Sequence, residues 1–220
     1  MSITNFYEYG PDVSDVERLV ILLHGVGSNG QDLISLAPML AQGLPKTLFL
    51  SPDAPFPCDM VPLGYPNAYQ WFSLQDRDPH AMLSGVKAVF SIVEEFIETQ
   101  MARCNVPAEK TALLGFSQGT MTSLYVAPRL KSKIAGVLGY SGALLWDAKT
   151  DVADLKTMPI RLIHGQADDV VPVQAWTHAK ELLEQHGFDV SGHTSAGLTH
   201  SIDEAGIKSG AEFLKKVLID

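Results

Sequence analysis

Thr111-Ala-Leu-Leu-Gly-Phe-Ser-Gln-Gly-Thr120, continued by Met121-Thr-Ser-Leu-Tyr-Val126, decides how this chain is read. A short apolar run ends at Leu114, a Gly-x-Ser-x-Gly turn spans Gly115 to Gly119, and a helical segment begins at once. A serine lifted out of a sheet into a tight turn needs small neighbours two positions to either side, so that strand and helix can approach; Gly115 and Gly119 meet that need. Such a turn exposes Ser117 Oγ and puts the next backbone N–H, that of Gln118, at a helix N-terminus where an oxyanion is favoured. Ser117 is therefore the candidate nucleophile. Alone the motif is weak, and it gains weight only from a preceding strand and from partners in a workable order after it.

Upstream, Arg18-Leu-Val-Ile-Leu-Leu-His24 reads as a strand buried on both faces, and it runs into His24-Gly-Val-Gly-Ser-Asn-Gly30. This loop lacks the Gly-x-Gly-x-x-Gly dinucleotide pattern and the phosphate-binding Lys-Ser/Thr pair, so it reads as half of an oxyanion hole with the Val26 N–H as donor. A tight turn without chemistry is the alternative. His24 reads as a residue that fixes the turn.

Other segments alternate in kind. Helices are expected over Asp32–Leu44, Ala81–Arg103, the elbow segment to about Leu130 with a last turn disturbed by Pro128, Val173–His186 and Glu204–Leu218. Strands are expected over Lys46–Ser51, Ile134–Ala143, Pro159–His164 and Phe188–His193. The proline-rich stretch from Pro52 to Asp78 reads as a long loop, and its aromatics, Trp71 and Phe72 among them, either line an acyl pocket or pin the loop to the core. The alternation implies a mostly parallel sheet with helices on both faces, in a single α/β domain spanning residues 1–220 with no separate cap. In such sheets the site lies beyond the carboxyl ends of the strands, and His24, Ser117, Asp168 and His200 all fall just past predicted strand ends.

A serine hydroxyl needs a base, and the base needs a third group to orient it. Sheets of this kind use the order Ser, acid, His. His178 and His186 lie on a helix and His193 in or at the end of a strand, whereas His200 occupies the loop Ala196-Gly-Leu-Thr-His-Ser201, from which it can turn toward a serine at the sheet edge. Asp168 and Asp169 both follow a strand, and spacing does not separate them; one of the two capping the helix near Val173 is the non-catalytic alternative. Asp147, Asp151 and Asp154 lie in a polar connection that reads as surface. Ser141 is a rival nucleophile without the glycine spacing of an elbow.

Composition narrows the partners. A net charge of −9 argues against nucleic acid, the basic cluster Arg129-Leu-Lys-Ser-Lys133 reading as the close of a helix. Only Cys58 and Cys104 are present, no secretory pattern precedes the first strand, no apolar run reaches membrane-spanning length, and no metal-ligand spacing occurs; a cytoplasmic protein without metal or cofactor is expected, with a Cys58–Cys104 disulfide as the minor alternative.

Together, His24-Gly-Val-Gly, Ser51-Pro-Asp-Ala-Pro, Trp71-Phe, Gly115-Phe-Ser-Gln-Gly, His164-Gly-Gln-Ala-Asp-Asp-Val-Val-Pro and Gly197-Leu-Thr-His-Ser resemble the phospholipase/carboxylesterase family of α/β-hydrolases, which includes the acyl-protein thioesterases. The resemblance runs from about residue 18 to the end. It implies Ser117 as nucleophile, Asp168 rather than Asp169 as acid, His200 as base, and Val26 and Gln118 as backbone oxyanion donors. It also implies a serine carboxylesterase acting on short- to medium-chain acyl esters, with thioesters, lysophospholipids and acylated proteins as further substrates, in a monomer or weak homodimer. Thr120 stands where the family usually has a second glycine after the elbow, and Gln70-Trp71-Phe72-Ser73 departs from its Ala-Trp-Phe/Tyr-Asp; both put the pocket's acyl specificity in question. A non-catalytic small-molecule receptor on the same fold and an acyltransferase remain as alternative functions.

Overall fold

The computed structural model describes residues 2–62, 64–146 and 154–220; Asp147 and Asp151 lie outside the described residues, and Asp154 is exposed. In chain order the main elements are β1 (Phe6–Tyr9), β2 (Arg18–Leu23), α1 (Gly30–Ile34), α2 (Ala37–Leu40), β3 (Thr47–Pro52), β4 (Phe56–Pro57), β5 (Tyr69–Gln70), α3 (Pro79–Cys104), β6 (Thr111–Phe116), α4 (Gln118–Val126), β7 (Gly136–Tyr140), β8 (Pro159–Gly165), α5 (Gln174–Gln185), β9 (Asp189–Ser195) and α6 (Glu204–Leu218). Seven strands form one sheet in the order β1-β3-β2-β6-β7-β8-β9, and β4 and β5 pair separately. Every pairing in the large sheet is parallel except that of β1, which runs antiparallel along the edge of β3.

Alternation along the strands builds two cores, one on each face. Leu19, Ile21 and Leu23 of β2 point into the core shared with α3, α4 and α5, while Val20 and Leu22 point into the one shared with α1, α2 and α6. Strands buried on both faces have no polar side to show, which is why β2 and β6 read as continuous apolar runs. The elbow helix α4 is buried along its whole length, from Gln118 to Val126. It lies against β2, β6 and β7, so the residue at its start is held by three strands at once.

Two features were not legible from periodicity. The single helix expected over Asp32–Leu44 is two short ones, because Pro38 has no N–H to donate to the carbonyl of Ile34 and its ring crowds that carbonyl. β1 and the β4–β5 pair are too short for a pattern of period two to stand out; β1 is held at the edge by its ladder to β3 and by Phe6 packing edge-on to Phe96 at 5.7 Å. The other differences are small. Pro128 ends the helical ladder of α4 at Val126, and a 3₁₀ turn over Ala127–Arg129 follows, where the Arg129 guanidinium donates to the Tyr125 carbonyl at 2.8 Å. Cys58 and Cys104 are both free and buried. Among the described residues no helix is long and apolar enough to cross a membrane.

The closest backbone approach in the elbow is at Gly119, where a Cβ would lie 1.7 Å from the Leu23 carbonyl oxygen and 2.8 Å from that of His24. No side chain is available there to move aside. Overpacking ordinarily costs about 1–3 kcal/mol, so a backbone-on-backbone clash of this depth belongs at or above the upper end. Gly119→Ala is therefore expected to lower stability by about 3 kcal/mol or more, read as a fall in the urea midpoint or as loss of soluble folded protein.

Candidate active site

Ser117 sits between the end of β6 and the start of α4 with φ 54° and ψ −117°, a left-handed backbone that a side-chain-bearing residue adopts only when its surroundings impose it. They impose it here through the Ser117 N–H, which donates to the Tyr140 carbonyl at 2.9 Å, and through Gly115, where a Cβ would come within 2.4 Å of the Thr120 nitrogen. Thr120, which departs from the family pattern, does not face the cavity beside Ser117. Its hydroxyl donates to the Tyr140 carbonyl at 2.8 Å and accepts from the Tyr140 N–H at 3.0 Å, and its side chain fills the space left by Gly139 and Gly142.

Asp168 and His200 meet across two loops. The Ala167 N–H donates to the Leu198 carbonyl and the Gln166 N–H to the Ser195 carbonyl, both at 2.9 Å, so the loop after β8 is laced to the loop after β9. Gly165 permits this because a Cβ would strike the Leu198 and Thr199 carbonyls. The outcome is a hydrogen bond of 2.8 Å between His200 Nδ1 and Asp168 Oδ2. Asp168 Oδ1 accepts from the N–H groups of Val170 and Val171 at 3.0 and 2.8 Å. Burial pushes the Asp168 carboxyl up, but the hydrogen bond from His200 and those from the two amides outweigh it and hold the group below the usual carboxylate range. Asp169 is exposed, which separates the pair that spacing left open.

The Ser117 and His200 side chains open onto one cavity of about 490 Å³, walled mainly by apolar groups including Leu33, Leu36, Phe116 and Ile202. The His200 ring rests on Phe116, ring centres 5.0 Å apart. Among the described residues no hydrogen bond joins Ser117 Oγ to the imidazole. Val26 also lines this cavity, and neither its N–H nor that of Gln118 donates to another described residue. Ser141, the rival nucleophile, is buried and does not line this cavity.

Trp71 and Phe72, expected as pocket residues, do not line the cavity. Trp71 is fully buried and its indole N–H donates to the His24 carbonyl at 2.9 Å, while Phe72 packs into the core against Gly85. They pin the long loop instead: a buried indole must find an acceptor for its N–H, and here that acceptor is the His24 carbonyl at the start of the Gly-rich loop. Ser73 is exposed, away from this contact.

Spacing alone did not reveal His164, which is buried behind the acid, with Nε2 donating to the Val171 carbonyl at 2.8 Å and 3.3 Å from Asp168 Oδ2. The other histidines after Ser117 lie elsewhere: His178 is exposed on α5, His186 bonds the Leu182 carbonyl at the end of that helix, and His193 lies within β9.

His24 behaves as the sequence suggested. It is fully buried; its Nε2 accepts from the Ala54 N–H at 3.0 Å, and its Nδ1 lies 2.7 Å from the Gly25 carbonyl, to which it donates. That pattern requires the neutral ring. Burial lowers its pKa from the ordinary 6.5, more strongly than the Gly25 hydrogen bond and the Asp53 and Asp32 charges raise it. Below 6.5 the unfolded chain binds a proton that the folded ring refuses, so the stability contributed above that pH declines as pH falls. The urea midpoint of the wild type is expected to drop between pH 7 and 5, and His24→Gln to lose that component of the slope.

Comparison with known proteins bears on the family and the fold. Residues 11–218 match the model of the phospholipase/carboxylesterase family. The acyl-protein thioesterase 1 of Candida albicans is 28% identical over 225 residues, covering 93% of this chain and 94% of that one. Esterase YpfH of Escherichia coli is 28% identical over 218 residues, 98% of this chain and 89% of the relative. Among solved structures, esterase PE8 superposes with a TM-score of 0.90 at 32% identity, covering 99% of this chain and all of that one. With a serine elbow on a parallel sheet and a family match over nearly its whole length, this chain belongs to the phospholipase/carboxylesterase family and has the α/β-hydrolase fold.

Proposed function

We propose that this carboxylic ester hydrolase works through an acyl-enzyme formed on Ser117, with His200 as general base and acid, Asp168 orienting the imidazole, and the Val26 and Gln118 N–H groups holding the oxyanion. His200 takes the Ser117 proton as Oγ attacks the acyl carbon, and the carbonyl oxygen becomes the oxyanion. The imidazolium then gives that proton to the departing alkoxide or thiolate, and the acyl–oxygen or acyl–sulfur bond breaks. Water enters, His200 removes its proton, and collapse of the second tetrahedral intermediate returns the proton to Ser117 with release of the carboxylic acid.

The observation that carries this reading is His200, which lines the same cavity as a serine in a strained elbow while its Nδ1 lies 2.8 Å from Oδ2 of the buried Asp168. The Asp168 bond leaves His200 Nε2 as the nitrogen that meets the hydroxyl, a contact that general bases commonly tighten only with substrate in place. The apolar wall and a volume of about 490 Å³ suit a short- to medium-chain acyl group. Esters and thioesters of small alcohols, lysophospholipids or acylated proteins share the acyl carbonyl this site would attack. The reading takes the protein as a cytoplasmic monomer or weak dimer of one domain without a cap, for which two free buried thiols are in keeping.

Ser117→Ala is expected to abolish hydrolysis of p-nitrophenyl butyrate, and a fluorophosphonate probe to label the wild type at Ser117. Undiminished turnover in the variant overturns the assignment, and a folded wild type that takes up no probe favours a receptor. Loss of a single oxyanion donor is expected to raise the barrier by about 3 kcal/mol. A chain-length series of esters and thioesters, run with and without an added alcohol acceptor, separates hydrolysis from acyl transfer.

A further inference from the structure

The amides of Val26 and Gln118 follow β2 and β6, neighbouring strands whose ladder stops short of both. Beyond the strand ends the contact of Gly119 with the Leu23 and His24 carbonyls seats α4 against β2, and the loop that carries Val26 is held by a further element. Residues 69–72 lie across both loops. The Gly27 N–H donates to the Tyr69 carbonyl at 2.8 Å and the Tyr69 N–H to the Ser28 carbonyl at 2.9 Å, clamping the loop just after Val26. The Trp71 indole N–H donates to the His24 carbonyl at 2.9 Å, holding the same loop just before Val26. From the other side, Gln118 Oε1 accepts from the Trp71 backbone N–H at 2.9 Å, and Gln118 Nε2 donates to the Phe72 carbonyl at 2.7 Å.

Gln118 and Trp71 are fully buried, so these bonds have no water to compete with them. The amide of Gln118 faces an N–H with its oxygen and a carbonyl with its nitrogen, which leaves it one orientation, since a flip would set like against like. One residue therefore carries a proposed oxyanion donor on its backbone and, on its side chain, the tie to the segment that holds the other donor.

We propose that the Gln118 side chain and the Trp71 indole are positioning residues that set the spacing of the oxyanion donors. The inference rests on the assignment of Val26 and Gln118 as those donors. A brace of this kind acts on the transition state more than on substrate binding, because the donors meet full negative charge only when the tetrahedral oxygen has formed.

Trp71→Phe keeps an aromatic but smaller ring and removes the indole N–H; Gln118→Met keeps the length and removes both side-chain bonds. The measurements are kcat and KM for p-nitrophenyl butyrate per active site, counted by burst titration, together with affinity for an acyl trifluoromethyl ketone and the melting temperature. Each variant is expected to lose roughly 10- to 100-fold in kcat with KM within about 2-fold of wild type, and to bind the ketone more weakly in proportion. A wild-type kcat per active site in both variants, with only a lowered melting temperature, overturns the positioning role and leaves the Ser117 mechanism intact. Failure of the wild type to bind the ketone, or hydrolysis that survives Ser117→Ala, removes the oxyanion assignment and this inference with it.

Discussion

The backbone of α4 comes against the end of β2 so closely that position 119 has no room for a side chain, and most of the site depends on that approach. With the helix seated there, the link from β6 to α4 must turn within one residue, and that residue is Ser117 in a left-handed conformation. A strained residue of this kind costs on the order of 1–3 kcal/mol and survives only where its surroundings over-determine it. Three strands and a fully buried helix supply that over-determination. The hydroxyl is thereby raised to the sheet's carboxyl edge without a flexible loop to carry it.

Electrostatics at the second half of the site follow from burial and from the two loops laced together. A carboxylate taken out of water is costly unless donors surround it, and Asp168 receives them from two backbone amides and the His200 ring, with His164 close behind. These donors hold its pKa below the usual carboxylate range and so favour the charged form beside the imidazole. The same logic runs in reverse at His24, where burial without a carboxylate partner at hydrogen-bond distance favours the neutral ring and turns it into a fixed strut. Two histidines past the ends of parallel strands thus meet opposite surroundings, one beside a buried carboxylate and one without.

Much of this was legible in the chain. The apolar runs of β2 and β6 mark strands buried on both faces, the elbow glycines mark the turn, and the interval between β9 and α6 isolates His200 from the histidines on regular elements. Pro38 is a local signal that breaks the first helix, and overlooking it joined α1 to α2. The misplacement of Trp71 and Phe72 has a different origin. An aromatic in a proline-rich loop suits a pocket wall and a buried pin equally well, and the choice depends on which carbonyl lies within reach of the indole.

The sequence by itself determined the layer architecture, the elbow and the set of candidate nucleophile, acid and base, because periodicity, glycine spacing and position past a strand end are local properties of the chain. Only the tertiary structure decided how Asp168, which spacing alone did not separate from Asp169, meets His200, that Thr120 packs under the elbow, and that Gln118, Trp71 and His24 form one buried brace. Those outcomes rest on hydrogen bonds between residues 20 to 47 positions apart or turn on which of two adjacent side chains points inward. They are settled by the satisfaction of buried donors and acceptors across the sheet's edge, for which no pattern along the chain stands in.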